Sequence, residues 1–344
     1  MTALSENPYA AELDILLGKL EKSNKISEMG AICLGGSHAY GLATPDSDVD
    51  LRGFAMPKAE DILRLRDFEQ VDTMDGVDAT IYSLHKMTSL LAACNPNIIE
   101  MVGLREQDIL VDSPAYKTLR EHPEWFVSRK CASTFGGYAT QQLRRIQNAM
   151  NREDDARLIA ESAKRSMDAA IEAFPAKFAS YAEGGIVLSV SEEAEPEVLV
   201  DISLSKVPAR ELRGMCGDLD DINKNAARLG KNKRRESKGI AKHASHLIRL
   251  LAMGSEMLET GAVNTFRSED AGILLELKQG KYLVEEADGT RRYEDEFWEM
   301  LDAAEKRFQY AKANTSLPAD ANREAIDAFL RGEHLRLVET YSWK

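Results

Sequence analysis

The sequence predicts an α+β fold: an N-terminal mixed sheet with flanking helices over residues 1–130, then a mostly helical region over 131–344 that carries one small β-hairpin. Three observations predict it. Strand-like and helix-like stretches alternate through the first 130 or so residues. After Pro123 the apolar spacing becomes helical. Two β-rich runs, 186–190 and 198–202, then interrupt the helical pattern. The boundary between the two regions is expected within residues 120–135.

The elements follow in order. Leu13, Ile15, Leu16 and Leu20 have the spacing of an amphipathic helix, and the acidic residues Glu6, Glu12 and Asp14 argue against a signal peptide. The apolar run Ala31-Ile32-Cys33-Leu34 ends in Gly35-Gly36, which reads as a buried strand entering a turn. Residues 48–54 alternate acidic and apolar side chains and form a second strand; 79–83 form a third, and 84–94 a helix. Asn97-Ile98-Ile99-Glu100 fits a capping box, with Asn97 bonding the N3 amide and Glu100 reaching back. Helical periodicity returns over 137–150, 156–174, 240–259 and 294–314. Residues 191–197 are expected to be the turn of the hairpin.

Composition bounds the function. The 344 residues suffice for two domains, and 44% hydrophobic with 29% charged residues is ordinary for a soluble globular chain. No apolar run reaches the roughly 18–20 residues of a membrane span, so a cytoplasmic protein without membrane contact is expected. Cys33, Cys94, Cys131 and Cys216 lie far apart, which argues against a zinc ribbon, a redox motif or a disulfide scaffold. Each reads as a small buried hydrophobe. A net charge of −13 speaks against indiscriminate nucleic-acid binding, and no signal points to DNA. Between Lys224 and Arg249, however, nine Lys/Arg stand against one acid, Glu236, and this segment is a candidate for meeting phosphates. Residues 285–305 hold nine Asp/Glu against two Arg and read as a solvated face.

The chemistry concentrates in Leu34-Gly35-Gly36-Ser37, followed ten residues later by Asp48-Val49-Asp50-Leu51. Alternation along a strand projects Asp48 and Asp50 together while Val49 and Leu51 enter the core. Two crowded carboxylates repel unless a cation lies between them, and hard oxygen donors suit Mg²⁺, with Mn²⁺ as a substitute. Two such ions about 3.5–4 Å apart activate a hydroxyl and stabilise a leaving pyrophosphate. Gly36 lets backbone approach a phosphate, and Ser37 opens a short helix whose free N–H groups suit an anion. Neither a Walker lysine motif nor Gly-x-Gly-x-x-Gly occurs. In the helical region, Lys242, His246 and Arg249 share one helix face, and Tyr138, Gln142 and Arg145 repeat that spacing.

Gly-Ser followed some ten residues on by Asp-x-Asp resembles the signature of the DNA polymerase β superfamily of nucleotidyltransferases. The string from Gly36 to Gly53, GSHAYGLATPDSDVDLRG, is similar to the RlaP-type (YcgL-like) predicted nucleotidyltransferases associated with RNA repair. The resemblance implies a polymerase-β-type catalytic domain over 1–130 and a substrate- and nucleotide-binding helical domain over 131–344. It implies a third metal-binding carboxylate on a neighbouring strand, which Asp78 would supply, with Asp72 and Asp75 as competitors. Asp48, Asp50 and Asp78 would then be the catalytic and metal-binding residues. Gly36, Ser37, Tyr138, Lys242, His246 and Arg249 would bind a nucleoside triphosphate. The implied reaction moves a nucleoside monophosphate to an acceptor hydroxyl. RNA is the favoured acceptor, protein AMPylation or a small-molecule acceptor the alternatives, and a non-catalytic nucleotide- or RNA-binding or toxin-neutralising protein the rival of another class.

Overall fold

A computed structural model of the chain describes residues 8–23, 25–64, 66, 68–73, 77–150, 182–190, 198–216, 237–286 and 291–341. The alternating N-terminal stretch forms a five-stranded mixed sheet of order β3-β4-β2-β1-β5. The apolar run ending at Leu34 is β1 (Ile26–Leu34), antiparallel to β2 (Asp50–Pro57) and to the short β5 (Ile109–Val111). On the other side of β2 lies β4 (Asp78–Ser83) in parallel, with β3 (Gln70–Thr73) antiparallel at its outer edge.

Period-two alternation gives the sheet two different faces. On one, Ile32, Leu34, Leu51, Ala55, Ala79 and Ile81 pack against Leu13, Leu16 and Leu20 of α1 (Ala10–Ser23), the leucines whose spacing announced that helix. Each such leucine contributes about 1.5–3 kcal/mol through burial. The other face carries Asp50, Arg52 and Phe54 of β2 beside Asp78, Thr80 and Tyr82 of β4. Its lower part is apolar: the Phe54 and Tyr116 rings meet edge-on at 6.0 Å, and Cys33 Sγ donates to Tyr116 Oη at 3.3 Å. Tyr116 belongs to α6 (Pro114–Glu121). The acidic end lies at the starts of β2 and β4.

Short helices join the strands. α2 (Gly36–Tyr40) follows β1, α3 (Ala59–Leu63) follows β2, and α4 (Leu84–Ala92) follows β4 without a break. Ser83 caps α4, its Oγ accepting from the Lys86 N–H at 3.1 Å. The next cap differs from the one expected. α5 (Pro96–Ile99) is capped by Asn95, whose side chain accepts from the Asn97 N–H at 3.0 Å, with Pro96 in the first turn. No Asn97/Glu100 box forms, because Glu100 turns inward and is buried.

Helices α7 (Lys130–Met150), α8 (Ser237–Thr260) and α10 (Asp295–Asn314) occupy the positions their periodicity announced, with α9 (Ala271–Gln279) between the last two. The expected hairpin is present as β6 (Ala182–Val190) and β7 (Val198–Leu204), pairing Ile186 with Ile202 and Val190 with Val198. Its expected turn at 191–197 and the expected helix at 156–174 lie outside the described residues. A last helix, α11 (Arg323–Thr340), gave no clear sequence signal; only Ile326 and Leu337 on it are buried. Cys33, Cys94 and Cys131 are buried as expected, whereas Cys216 is exposed.

Contacts group the chain into two compact units, and they cut it differently from a single boundary at 120–135. One unit holds Met1–Arg144, Ala241–Tyr282 and Tyr293–Lys344; the other holds Arg145–Ile240 and Leu283–Arg292. The late helices belong with the sheet because their side chains pack there. Phe329 of α11 lies 6.1 Å from Trp125, and Arg249 of α8 stacks on Tyr40. Among the described residues no helix is long and apolar enough to cross a membrane.

Leu16 is fully buried between α1 and the sheet. Leu16→Ala is expected to lower unfolding free energy by about 2–5 kcal/mol, read from urea melts. A loss below about 1 kcal/mol would contradict this packing.

Candidate functional site

The site begins where β1 hands over to β2. Leu34 pairs with Leu51, so the chain leaving β1 turns directly over the start of β2, and the Gly35 N–H donates to the Asp50 carbonyl at 2.8 Å. Gly36 has a φ of +55°, and a Cβ there would land on Asp50 Oδ2. Glycine is therefore required twice over, by backbone sign and by the carboxylate pressed against it. Gly36 opens α2, which has no side-chain cap, so its first-turn amides lack intrahelical acceptors. Ser37 is the half-buried second residue of that turn.

The parallel register pairs Asp50 with Asp78, setting two carboxylate residues side by side at the strand starts. Asp48 is exposed in the extended segment just ahead of β2, which begins two residues later than its alternation suggested. Of the competitors to Asp78, Asp72 lies on β3 opposite Thr80 and accepts from Thr80 Oγ1 at 3.0 Å and Gln70 Nε2 at 2.7 Å. Asp75 lies outside the described residues.

Asp50 is held above the ordinary carboxyl value of 3.8, first by burial and then by Asp78 and Asp48, with Arg52 and Lys242 opposing. Among the described residues no side chain forms a hydrogen bond or ion pair with it, although it is half-buried. A carboxylate beside two others is an arrangement that a cation would stabilise, and all-oxygen donors fit Mg²⁺ or Mn²⁺. The side chains are not drawn into a ready coordination shell: among the described residues no three His, Cys, Asp or Glu are clustered closely enough to hold a metal.

The stripe on α8 reaches this end of the sheet in graded depth. Lys242 is exposed and close enough to lower the Asp50 pKa, His246 is half-buried, and Arg249 is 6% exposed with its guanidinium 3.5 Å over the Tyr40 ring. Arg249 Nη1 also donates to Met253 Sδ at 3.2 Å. Tyr138 of α7 is half-buried and acts electrostatically on Tyr82, while Gln142, one turn on, bonds His243 at 2.7 Å. Of the basic segment, residues 224–236, including Lys224, lie outside the described residues.

Sequence reasoning missed the polar core behind the acidic end. Glu100, with a side chain 2% exposed, forms an ion pair with Arg52 and accepts a hydrogen bond from the Tyr40 hydroxyl. Burial keeps the Tyr40 phenol protonated well above its usual range, so it is the donor. Burial opposes the Arg52 charge, yet Glu100, then Tyr40 and Asp50, outweigh it and hold the guanidinium above its ordinary value. Arg52 Nη1 also donates to the Asn97 carbonyl at 2.7 Å. From the far side, Thr265 Oγ1 donates to the Glu100 carbonyl at 2.6 Å, and the Arg267 N–H donates to the Tyr40 carbonyl at 3.0 Å. Arg267 itself is buried between Glu256 and Asp270.

Residues 17–332 match the RlaP family, an RNA repair pathway DNA polymerase beta family. The chain belongs to the RlaP family. Its Gly36-Ser37 turn and Asp48-x-Asp50 pair are thus read within a polymerase-β-type nucleotidyltransferase family. A phage T4 protein, the "uncharacterized 38.9 kDa protein in nrdC-mobD intergenic region", is 34% identical over 77 residues, which are 20% of this chain and 23% of that protein. The match spans less than a quarter of that relative's length. The crystal structure of a nucleotidyltransferase-like protein from Exiguobacterium sibiricum 255-15 shares 13% identity over 87% of this chain and 75% of that one, with a TM-score of 0.26.

Two predictions follow from the Asp50 geometry. Gly36→Ala pushes a methyl into the Asp50 carboxylate at a positive φ and is expected to cost about 1–3 kcal/mol in a thermal melt. A melt unchanged from wild type would contradict the close approach. The second concerns pH. Because the folded state raises the Asp50 pKa, its ionisation destabilises the metal-free fold as pH rises through that raised value. Asp50→Asn in chelator should therefore melt above wild type at neutral pH, with the gap closing as pH falls towards 3.8. A gap that is constant or widens on acidification would show that Asp50 is not strained by its surroundings.

Proposed function

We propose that this protein is a Mg²⁺-dependent nucleotidyltransferase that moves a nucleoside monophosphate from a nucleoside triphosphate to an acceptor hydroxyl, with RNA as the acceptor. The observation that carries the reading is Asp50 aligned with Asp78 in parallel register beneath the open turn at Gly36. In this reading the amides of Gly36 and Ser37, with the Ser37 hydroxyl, grip the triphosphate. Lys242 and Arg249 add positive charge, and Tyr138 and His246 border the nucleotide. Asp48, Asp50 and Asp78 would hold Mg²⁺, which when bound supplies the charge that neutralises the phosphates and activates the acceptor hydroxyl. Asp78 orients that hydroxyl and receives its proton. A bond forms between the acceptor oxygen and the α-phosphorus as the bond to the bridging oxygen breaks, and pyrophosphate leaves. RNA is supported by the family's description and by the basic residues between Lys224 and Arg249.

The test is pyrophosphate release with each α-labelled triphosphate, offered total RNA, lysate protein and small-molecule hydroxyls in separate reactions. Asp50→Asn and Asp78→Asn are expected to reduce transfer by about 10²–10⁴-fold. Wild-type transfer by either variant would place the chemistry elsewhere. Label on protein would make the enzyme an AMPylator, and triphosphate binding without turnover would make it a binding protein.

RNA contact has its own signature. The logarithm of RNA affinity should fall linearly with the logarithm of salt, with a slope near −0.7 per phosphate contact. Replacing Lys231, Lys233, Arg234 and Arg235 with neutral residues should flatten that slope while leaving triphosphate affinity unchanged. Equal slopes for the two proteins would remove this segment from the RNA interface.

A further inference from the structure

The buried Arg52–Glu100 pair lies directly beside the acidic end of the sheet, and no role proposed so far uses it. Arg52 and Asp50 are two residues apart on one strand and so point to the same face, about 7 Å apart along the backbone. An extended arginine spans that distance, and an arginine beside a half-buried, unpartnered carboxylate would ordinarily close a bidentate pair with it. Here it does not. The Arg52 stem runs past Gly35, where a Cβ would sit 3.4 Å from Arg52 Cγ, and its guanidinium is taken instead by Glu100 and the Asn97 carbonyl.

Glu100 is itself held so that it cannot follow Arg52 outward. Its second carboxylate oxygen accepts the Tyr40 hydroxyl, and its carbonyl accepts Thr265 Oγ1. Tyr40 in turn lies under the Arg249 guanidinium. The charged and titratable groups around Arg52 are Asp50 on its own strand, Tyr82 on β4, Tyr40 on α2 and Glu100 after α5. Around Asp50 they are Arg52, Asp78 on β4, Lys242 on α8 and Asp48 in the preceding segment.

We propose that Glu100 is a positioning residue that holds Arg52 off Asp50, so that the Asp50 carboxylate stays open to a divalent cation instead of being capped by its own strand neighbour. This rests on the reading of Asp50 as a metal-binding residue, but the competition between Glu100 and Asp50 for one guanidinium stands on the geometry alone. It also explains why an acid is buried here. Glu100 touches no reacting group in this arrangement; it acts through Arg52.

Glu100→Gln keeps the side chain's shape and one acceptor oxygen but removes the charge that competes for Arg52. In crystals of this variant the Arg52 guanidinium is expected to swing onto the Asp50 carboxylate. Mn²⁺ binding, measured by electron paramagnetic resonance without nucleotide, should weaken by about tenfold, or about 1.4 kcal/mol. The double variant Glu100→Gln/Arg52→Gln has no guanidinium on the Asp50 strand left to cap Asp50, and its Mn²⁺ affinity should return to within about threefold of wild type, about 0.7 kcal/mol. A role of Glu100 in packing alone would not be rescued by the second substitution. Arg52 remaining on residue 100 in the variant crystal, or a double variant as weak as the single, overturns the proposal. Should Glu100→Gln fail to fold, Glu100→Gln/Arg52→Gln against Arg52→Gln decides: the proposal requires equal Mn²⁺ affinity, and a further loss from Glu100→Gln overturns it. Absence of turnover in wild type with Mn²⁺ binding and Arg52 movement intact would sink the transferase reading while sparing this one.

Discussion

Everything at the acidic end of the sheet answers to one electrostatic problem, the repulsion between Asp50 and Asp78 held level by a parallel pairing. A parallel ladder offers no freedom to offset them: the register that aligns Leu51 with Ala79 and Gly53 with Ile81 also aligns the two acids. The core face therefore fixes the charge problem on the opposite face. Lys242 and Arg52 ease it from different elements, while burial first, and then Asp78 and Asp48, hold the Asp50 carboxyl above its ordinary value. What remains is an end of the sheet with surplus negative charge, which a bound cation would stabilise.

The glycine turn is tied to the same pairing. Because Leu34 opposes Leu51, the residues after β1 have nowhere to go but across the Asp50 carboxylate, and only a residue without Cβ passes there. The Gly-Ser and Asp-x-Asp parts of the motif are thus one object seen twice along the chain.

Much of this was legible in the sequence because its cause is local. Leu13, Leu16 and Leu20 declare α1, and the Gly36-Ser37 and Asp48/Asp50 spacing declares the turn and strand, since both depend on neighbours within a few residues or on simple alternation. Glu100 was not legible. Asn97-Ile98-Ile99-Glu100 satisfies a capping rule, yet Asn95 takes the cap and Glu100 bonds Arg52, 48 residues away in the chain. Local pattern carries no information on such a partner. Arg249 shows the same limit from another side: its helix face was readable, but its burial against Tyr40 depends on a fold that returns across more than 200 residues. α11 was missed because a helix with two buried side chains has little periodicity to show, although Asn322, which accepts the Ala325 N–H at 3.1 Å, was a readable start signal.

The sheet's unit is assembled from stretches on both sides of a long detour, leaving at Arg144 and resuming at Ala241. On a ribosome, the 96 positions between 144 and 241 take roughly 5–20 s to synthesise at about 5–20 residues per second. During that interval β1 to β5 are complete, but Tyr40 lacks Arg249 above it and Glu100 lacks Thr265 behind it. A buried acid waits without part of its shell, and like carboxylates wait without Lys242. The nascent sheet lacks these contacts for as long as that stretch is being made. A pause placed between those two points would lengthen exposure to proteases and chaperones, whereas the same pause once Thr265 has left the ribosome would find α8 and the Thr265 segment already available.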